Sequence, residues 1–491
     1  MSFFDFAPGS APTGTGDGNR AEGELQRWRE KMLAEAQARK ASAAAQQRLD
    51  AKEIEALARA VYEEFAAKAL DVGLRLPEAW LYTLIGELSG LGPLMELIAR
   101  PDIEDIAVNL NHIYAYFTGQ GWQYIGEAQE GLGAAVRVLI DRAGQKPPSP
   151  DFPIADAMLQ VTVPTQDGRG VRRKGLRINY IMPPASPYGD SITIRVSNYR
   201  TGEELRSQGS LAFLTTHRLP PVKRPAFSPR DFPAGEGVIT PEAANYLLSV
   251  LVHAGTVVVA GATGSGKTFF STRLLQEMLD FFPRGAIRLF IVEDSNEIVL
   301  NGWDGDPKSD TGNILYTVTR PHIAGGPPAV TMYDLIRAAL RSRPHGIVVG
   351  EARGSEAWEL IRATATGHGH SAFTIHATSA EHVWPRFMQV VQSHPDVQHL
   401  SPLQIAQSFA EGVTTVVYIE RHPVHGQRVM EIAEVTPIVE RTAARPSFNP
   451  LFRFDPQSET LQATGNRPMR PGFLPSDLNL PDTIFRRARI L

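Results

Sequence analysis

The strongest chemical signal in the chain is Gly261-Ala262-Thr263-Gly264-Ser265-Gly266-Lys267-Thr268, which fits the pattern of Gly, four residues, Gly-Lys and then Ser or Thr. Glycines at 261, 264 and 266 permit backbone conformations that a side chain forbids. Successive N–H groups can therefore curl round phosphate oxygens at the positive end of a following helix. Lys267 is placed to reach β and γ phosphates, and the Thr268 hydroxyl to hold Mg²⁺. A nucleoside triphosphate is the implied ligand, with Gly261, Thr263, Gly264, Ser265, Gly266, Lys267, Thr268 and the adjoining Phe269 as its binding residues.

The elements that must position this loop are legible on both sides. Thr256-Val257-Val258-Val259-Ala260 is a short β-branched run expected to form a buried parallel strand, and Phe269 to Asp280 has helix-compatible apolar spacing. Two further buried-strand runs end in carboxylates, Ile287 to Asp294 and Ile347-Val348-Val349-Gly350-Glu351, and a third, Ser371 to His376, ends in histidine. The spacing predicts helices over 331–343, stopped by Pro344, and over 356–366. Strands alternating with helices from Ile239 onward predict a parallel α/β sheet, whose ligands bind at the carboxyl ends of the strands. Glu293, Glu297, Glu351 and His376 are thereby expected to gather near the loop.

Composition narrows the class. The 491 residues suit about three domains, and 43% hydrophobic with 21% charged residues is ordinary for a globular chain. A net charge of −4 supplies no basic field for nucleic acid, so direct DNA binding is not expected. The chain has no cysteine, which removes disulfides, thiolate zinc sites and cysteine nucleophiles. No signal peptide or membrane-spanning run is read, so the expected location is cytoplasmic, with membrane contact only through partners.

Ahead of the sheet, residues 1–20 are read as a disordered tail and 21–75 as a helical extension broken near Asp50. The first of its helices is too polar to bury much by itself. It is expected to pack on a neighbouring subunit or to remain a solvated extension. Residues 76–205 read as a smaller α/β domain: a helix over 79–88, strands at 103–109 and 113–117, a helix near 132–143, then strands near 157–163, 176–181 and 191–196. A Pro-rich linker at 206–236, an ATPase domain at 237–440 and a C-terminal extension at 441–491 complete the expected order.

Over roughly residues 75 to 440 the sequence resembles the secretion ATPases that power type II and type IV secretion and type IV pilus assembly. Four motifs carry the resemblance: the phosphate loop; the acidic box Glu293-Asp294-Ser295-Asn296-Glu297; the Walker B segment from Leu340 to Arg353; and a histidine box from Thr366-Gly367-His368 to Thr374-Ile375-His376-Ala377. Arg341-Ser342-Arg343-Pro344 and the histidine-box spacing look most like the conjugation-type and tight-adherence pilus branch. His345 stands where the family usually has Asp, and His370 is an additional histidine.

The resemblance implies a RecA-like ATPase domain behind a PAS-like N-terminal domain, with ATP and Mg²⁺ as cofactors. It implies Glu297 as the base that polarises water and Glu351 as a holder of Mg²⁺ through water, although the sequence leaves these two roles exchangeable. His376 would sense the γ-phosphate. Arg177 and Arg195 would approach the nucleotide of the same or an adjacent subunit. A homohexamer working with inner-membrane platform and secretion or pilus proteins, at the inner face of the cytoplasmic membrane, is the expected assembly. The linker would be its hinge. A nucleic-acid motor and an ATP-regulated assembly switch are the competing readings of the same loop.

Overall fold

The computed structural model describes residues 17–44, 51–77, 79–88, 91–128, 131–164, 171–197, 227–232, 237–300, 312–322, 326–422, 424, 426–440, 442 and 444–486. By compactness the chain forms two units. The first comprises Met1–Pro101, Gly131–Gln145 and Leu159–Gly175; the second comprises Asp102–Glu130, Lys146–Met158 and Leu176–Leu491.

In the first unit, helices α1 (Asp17–Ala44), α2 (Ala51–Leu70) and α3 (Ala79–Leu88) share one core. The polar α1 does not wait for a neighbouring subunit: its sparse apolar face buries Met32 and Ala36 with Ala58, Val61, Leu81 and Leu84. Trp28 meets Phe65 edge-on at 6.1 Å. Arg39 fixes the register of α1 on α2 by reaching Glu35 at 2.7 Å and Glu64 at 2.6 Å. Helix α1 already begins at Asp17, so the last four residues of the expected tail are helical, and residues 1–16 lie outside the described residues. A short helix, α4 (Gly92–Ala99), was not foreseen from Leu91-Gly92-Pro93-Leu94; its proline sits in the first turn, where a missing N–H costs nothing.

The smaller sheet has the order β3-β2-β1-β6-β5-β4. Its strands are β1 (Ile103–Asn109), β2 (His112–Phe117), β3 (Gly121–Glu127), β4 (Ile154–Pro164), β5 (Val171–Ile181) and β6 (Ser191–Ser197), with helix α5 (Leu132–Arg142) between β3 and β4. The unforeseen strand is β3. It is only half-buried and framed by glycines, so its alternation is weak, and it pairs with β2 through a tight turn that places Gly121 at φ +85°.

The larger sheet follows helix α6 (Pro241–Val252). Strand β7 (Thr256–Ala260) leads into helix α7 (Lys267–Leu279), then β8 (Leu289–Glu293), β9 (Ile314–Val318), helix α8 (Met332–Ala339), β10 (Gly346–Val349), helix α9 (Glu356–Ala365) and β11 (Ser371–Ile375). Helices α10 (Val383–Val391) and α11 (Pro402–Gly412) precede β12 (Thr415–His422), and β13 (Gly426–Glu440), β14 (Arg445–Asp455) and β15 (Thr460–Ala463) close the sheet. The order is β15-β14-β13-β12-β7-β11-β10-β8-β9. From β12 to β9 the neighbours are parallel, as expected; β13 to β15 add an antiparallel wing.

Both faces of the parallel strands are covered, which is why these strands are continuous apolar runs. Val258, Phe290, Val292, Ile347, Val349 and Phe373 pack one face with α8 to α11, and Val257, Val259, Leu289, Ile291 and Val348 pack the other with α6 and α7. The stretch read as a C-terminal extension belongs to this structure. It supplies β14 and β15 and then returns over α6, where Ser249 Oγ donates to Leu478 O at 2.7 Å and Phe485 is buried against Tyr246. The linker expected at 206–236 lies outside the described residues except for 227–232.

Helix α8 ends four residues before the expected stop. Thr331 and Asp334 form its capping box. After Ala339 the chain turns so that Ser342 donates to Asn179 Oδ1 at 3.1 Å and Arg343, at φ +48°, reaches Glu104 at 2.8 Å and also Asp105. The tie to the smaller sheet therefore ends the helix before Pro344 can.

Candidate active site

The loop between β7 and α7 is shaped by its glycines. Gly264 and Gly266 take φ +74° and +85°, and a Cβ on Gly261 would lie 2.3 Å from Ile419 O, so a side chain cannot replace it. Ser265 Oγ and Lys267 Nζ both donate to Ala262 O at 2.9 Å. Gln427, from β13, donates to Ser265 O at 2.8 Å and holds the loop from the far side. The first N–H groups of α7 have no acceptor within the helix, and Lys267 is 7% exposed. Burial lowers the Lys267 pKa, with Glu351 opposing that shift and Arg353 adding to it. Buried cation, orphan amides and a Cβ-free cradle together fit a polyphosphate, with Thr268 at the helix start where Mg²⁺ would be held. Thr263 is exposed at the loop tip, and Phe269 leaves 68% of its surface exposed on the first turn of α7.

Glu351 lies two residues past the end of β10 and is gripped from two sides. Arg353 Nη2 reaches its Oε2 at 2.7 Å, and His376 Nε2 stands 2.7 Å from Oε1, an ion-pair distance that lacks the angle of a hydrogen bond. Burial alone would raise its pKa; Arg353, His376 and Lys267 outweigh burial and hold the carboxyl below its ordinary value. The structure thus brings Lys267, Glu351 and His376 together at the carboxyl ends of adjacent strands.

Glu297 is exposed, accepts from Ser295 Oγ at 3.1 Å, and joins the group through Arg353, whose charge it shares with Glu351 and Asp294. Arg353 was not singled out from sequence. Its signal was the Glu351-Ala352-Arg353 spacing, which turns both side chains to one side of an extended segment.

Glu293 positions Glu297 instead of joining the cluster. Its buried carboxylate accepts the N–H groups of Glu297 and Ile298 at 3.1 to 3.3 Å. Burial pushes its pKa up from 4.5 to about 7, against those two N–H groups. The folded value exceeds the unfolded one, so the protonated form's stabilisation is complete below pH 4.5 and is lost as pH rises to about 7. Glu293→Gln should flatten that loss, which is roughly 3 kcal/mol at most. Urea midpoints at pH 5 and pH 7.5 check this; an unchanged difference between them would refute it.

The histidines do not form one site. His368 Nδ1 lies 2.9 Å from Pro344 O and His370 Nδ1 lies 2.6 Å from Leu251 O. His345 accepts the Arg288 backbone N–H on Nδ1 at 3.0 Å, and burial takes its pKa down to about 4, so it is a neutral acceptor where the family usually places Asp.

Arg177 and Arg195 are brought together, but away from the loop. They line a cavity of about 520 Å³ with Arg337, Arg341 and Arg362, and no phosphate-loop residue lines it. Arg195 Nε contacts Asp105 Oδ1 at 3.0 Å.

A glycine-shaped phosphate cradle at the end of a parallel strand, with a buried lysine facing carboxylates on neighbouring strands, defines an ATPase of the phosphate-loop class on a RecA-like sheet. Residues 236–417 match the family described as type II/IV secretion system protein. The chain is 31% identical over 340 residues to type IV secretion system protein PtlH of Bordetella pertussis, covering 67% of this chain and 89% of that protein. It is 27% identical over 356 residues to VirB11 of Brucella suis, covering 70% and 88%. The crystal structure of the VirB11 ATPase from the Brucella suis type IV secretion system, in complex with sulphate, superposes with a TM-score of 0.51 at 26% identity, over 70% of this chain and 96% of that one. The chain belongs to the type II/IV secretion ATPase family. Among the described residues no helix is long and apolar enough to cross a membrane.

Proposed function

We propose that the chain forms a homohexameric ring that hydrolyses ATP to drive a type IV secretion, conjugation or Flp-type pilus machine at the inner face of the cytoplasmic membrane. The observation that carries this is the convergence of Lys267, Glu351 and His376 on the phosphate loop, in a family member related to PtlH and VirB11. Thr268 and Glu351 would hold Mg²⁺, which would supply positive charge against that of the phosphates. Lys267 supplies the fixed positive charge at the β and γ phosphates. Glu297, exposed and hinged on Glu293, orients the attacking water and takes its proton. His376, paired with Glu351, is placed to register whether a γ-phosphate is present.

Arg177 and Arg195 serve the nucleotide of an adjacent subunit in this reading. The support is that no phosphate-loop residue lines their cavity, together with the ties that hold the smaller sheet to the ATPase core, Arg343 to Glu104 and Asp105 among them. The moving interface is then between copies of the chain, and partner proteins of the machine receive that motion.

The test is phosphate release by the purified protein, read beside negative-stain images with and without ATP. Glu297→Gln and Glu351→Gln should each lower kcat about 10²-fold, with sixfold rings still seen. Glu297→Gln should leave nucleotide affinity unchanged, whereas Glu351→Gln should raise the Mg²⁺ concentration needed for half-maximal rate. Full turnover in both variants would sink the proposal.

A further inference from the structure

The segment that follows β8, from Asp294 to Glu297, is exposed and belongs to no strand or helix, yet a general base must be held at hydrogen-bond reach of one water. A base on irregular backbone is only as fixed as the contacts around it. Behind the segment, the Glu293 carboxylate accepts the N–H groups of Glu297 and Ile298. At its start, Thr319 Oγ1 donates to Asp294 Oδ1 at 3.0 Å and the Thr319 N–H to Glu293 O at 2.9 Å. Past its end, the Tyr316 hydroxyl on β9 holds both backbone groups of Leu300, accepting the N–H at 3.1 Å and donating to the carbonyl at 3.3 Å.

A further contact comes from outside the larger sheet. The Asn296 side-chain amide donates to the Tyr188 hydroxyl. Tyr188 lies half-buried in the connection 182–190 between β5 and β6, with its ring edge-on to that of Tyr316 at 5.5 Å. This connection is itself tied down. Ala185 O accepts the Val318 N–H at the end of β9 at 3.0 Å, Asp190 O accepts the Leu110 N–H at 2.9 Å, and the Tyr180 hydroxyl donates to the Asp190 carboxylate. All of these residues belong to the second compact unit. Burial raises the Tyr188 pKa, against the Asn296 amide and with the Glu293 carboxylate, so the phenol keeps its proton at neutral pH.

We infer that Tyr188 is a positioning residue for ATP hydrolysis: through the Asn296 side chain and the Tyr316 ring it sets the backbone that carries Glu297. The placing of the base is thereby tied to the connection between β5 and β6. The inference rests on the reading of Glu297 as the base, given above, and adds to it a residue from outside both the phosphate loop and the acidic box.

The test is steady-state ATP hydrolysis by the full chain. Tyr188→Phe removes the hydroxyl and keeps the ring against Tyr316, so the thermal midpoint should be unchanged and nucleotide affinity should stay within about 2-fold of wild type. Its kcat should fall ~10-fold, between the loss of one neutral hydrogen bond and the ~10²-fold cost of a group displaced by about 1 Å. Asn296→Ala removes the same hydrogen bond from its exposed end and should reproduce that loss; the double variant should lose no more than either single one. The deciding pair is Tyr188→Phe with Glu297→Gln. In the Glu297→Gln background, where no base is left to misplace, Tyr188→Phe should lower kcat by less than about 2-fold.

Wild-type kcat in Tyr188→Phe overturns the inference and leaves Glu297 standing as the base. A loss that persists undiminished in Glu297→Gln overturns it as well, because Tyr188 would then act on the fold or on the nucleotide and not through Glu297. A fall in nucleotide affinity that matches the fall in kcat has the same meaning. Wild-type kcat in Glu297→Gln defeats the underlying assignment of the base, and the inference falls with it.

Discussion

Lys267→Ala will lose ATP turnover by ~10³-fold or more, the scale on which a preorganised charge stabilises a transferring phosphoryl group, while the protein stays folded. The asymmetry follows from what Lys267 touches. Among the described residues its side chain hydrogen-bonds only to Ala262 O, within the same loop, and its burial is a cost that Glu351 only partly offsets. Removing a desolvated cation from the loop should change the unfolding free energy by no more than about 1 kcal/mol. Lys267→Arg should not rescue, because the loop closes round the side chain and a planar fork does not fit where a four-carbon stem threads. Phosphate release and a urea melt of the same sample check both halves. Retained turnover would mean that Gly261 to Thr268 is a turn and not a catalytic loop.

Much of this loop was legible in the sequence because its signal is local. Glycines at fixed spacing, a β-branched run before and a helix after are all contained in about 25 residues. The carboxylates Glu293 and Glu351 were legible for a related reason: strand ends in a parallel sheet face one side, so a run ending in an acid declares its place. What sequence left together were Glu293 and Glu297, four residues apart in one box and both expected near the loop. The fold separates them by burial, with Glu293 3% exposed and holding two N–H groups while Glu297 is exposed.

Arg177 and Arg195 show the opposite limit. Their residue type pointed to phosphate chemistry, but their place depends on contacts between segments more than 130 residues apart, such as Arg195 and Arg337 lining one cavity. Local pattern carries no information on that scale. Strands β14 and β15 were read as an extension for a similar reason: with β13 they form an antiparallel wing, whose alternation does not match the buried runs before it. Helix α1 was misread because its apolar residues are few. Met32 and Ala36 suffice once α2 and α3 supply the rest of the core.

Arg288→Ala should destabilise the protein by roughly 3–5 kcal/mol, the cost of removing one partner from a buried charged network. Arg288 is fully buried at the start of β8. Its Nε donates to Ser342 O at 2.8 Å, Nη1 to Asn313 Oδ1 at 2.6 Å and to Asn109 Oδ1 at 3.4 Å, and Nη2 to Thr193 Oγ1 at 2.8 Å; the guanidinium lies 5.0 Å from the Trp122 ring. Burial lowers its pKa to about 9, with Asp105 and Tyr114 opposing, so it remains charged at neutral pH. Alanine leaves several buried acceptors without a donor and a gap beside Trp122. Lysine keeps the charge but cannot serve three directions at once, so Arg288→Lys should recover less than half the loss. Because Asn109 and Thr193 lie on β1 and β6, the same change loosens the sheet that carries Arg195. Turnover should then fall further than nucleotide binding, although no residue of the phosphate loop has been altered. A urea-derived change below about 1 kcal/mol would show that Arg288 does not lock the two sheets, and would remove the reason for assigning the arginine cavity to a neighbouring subunit.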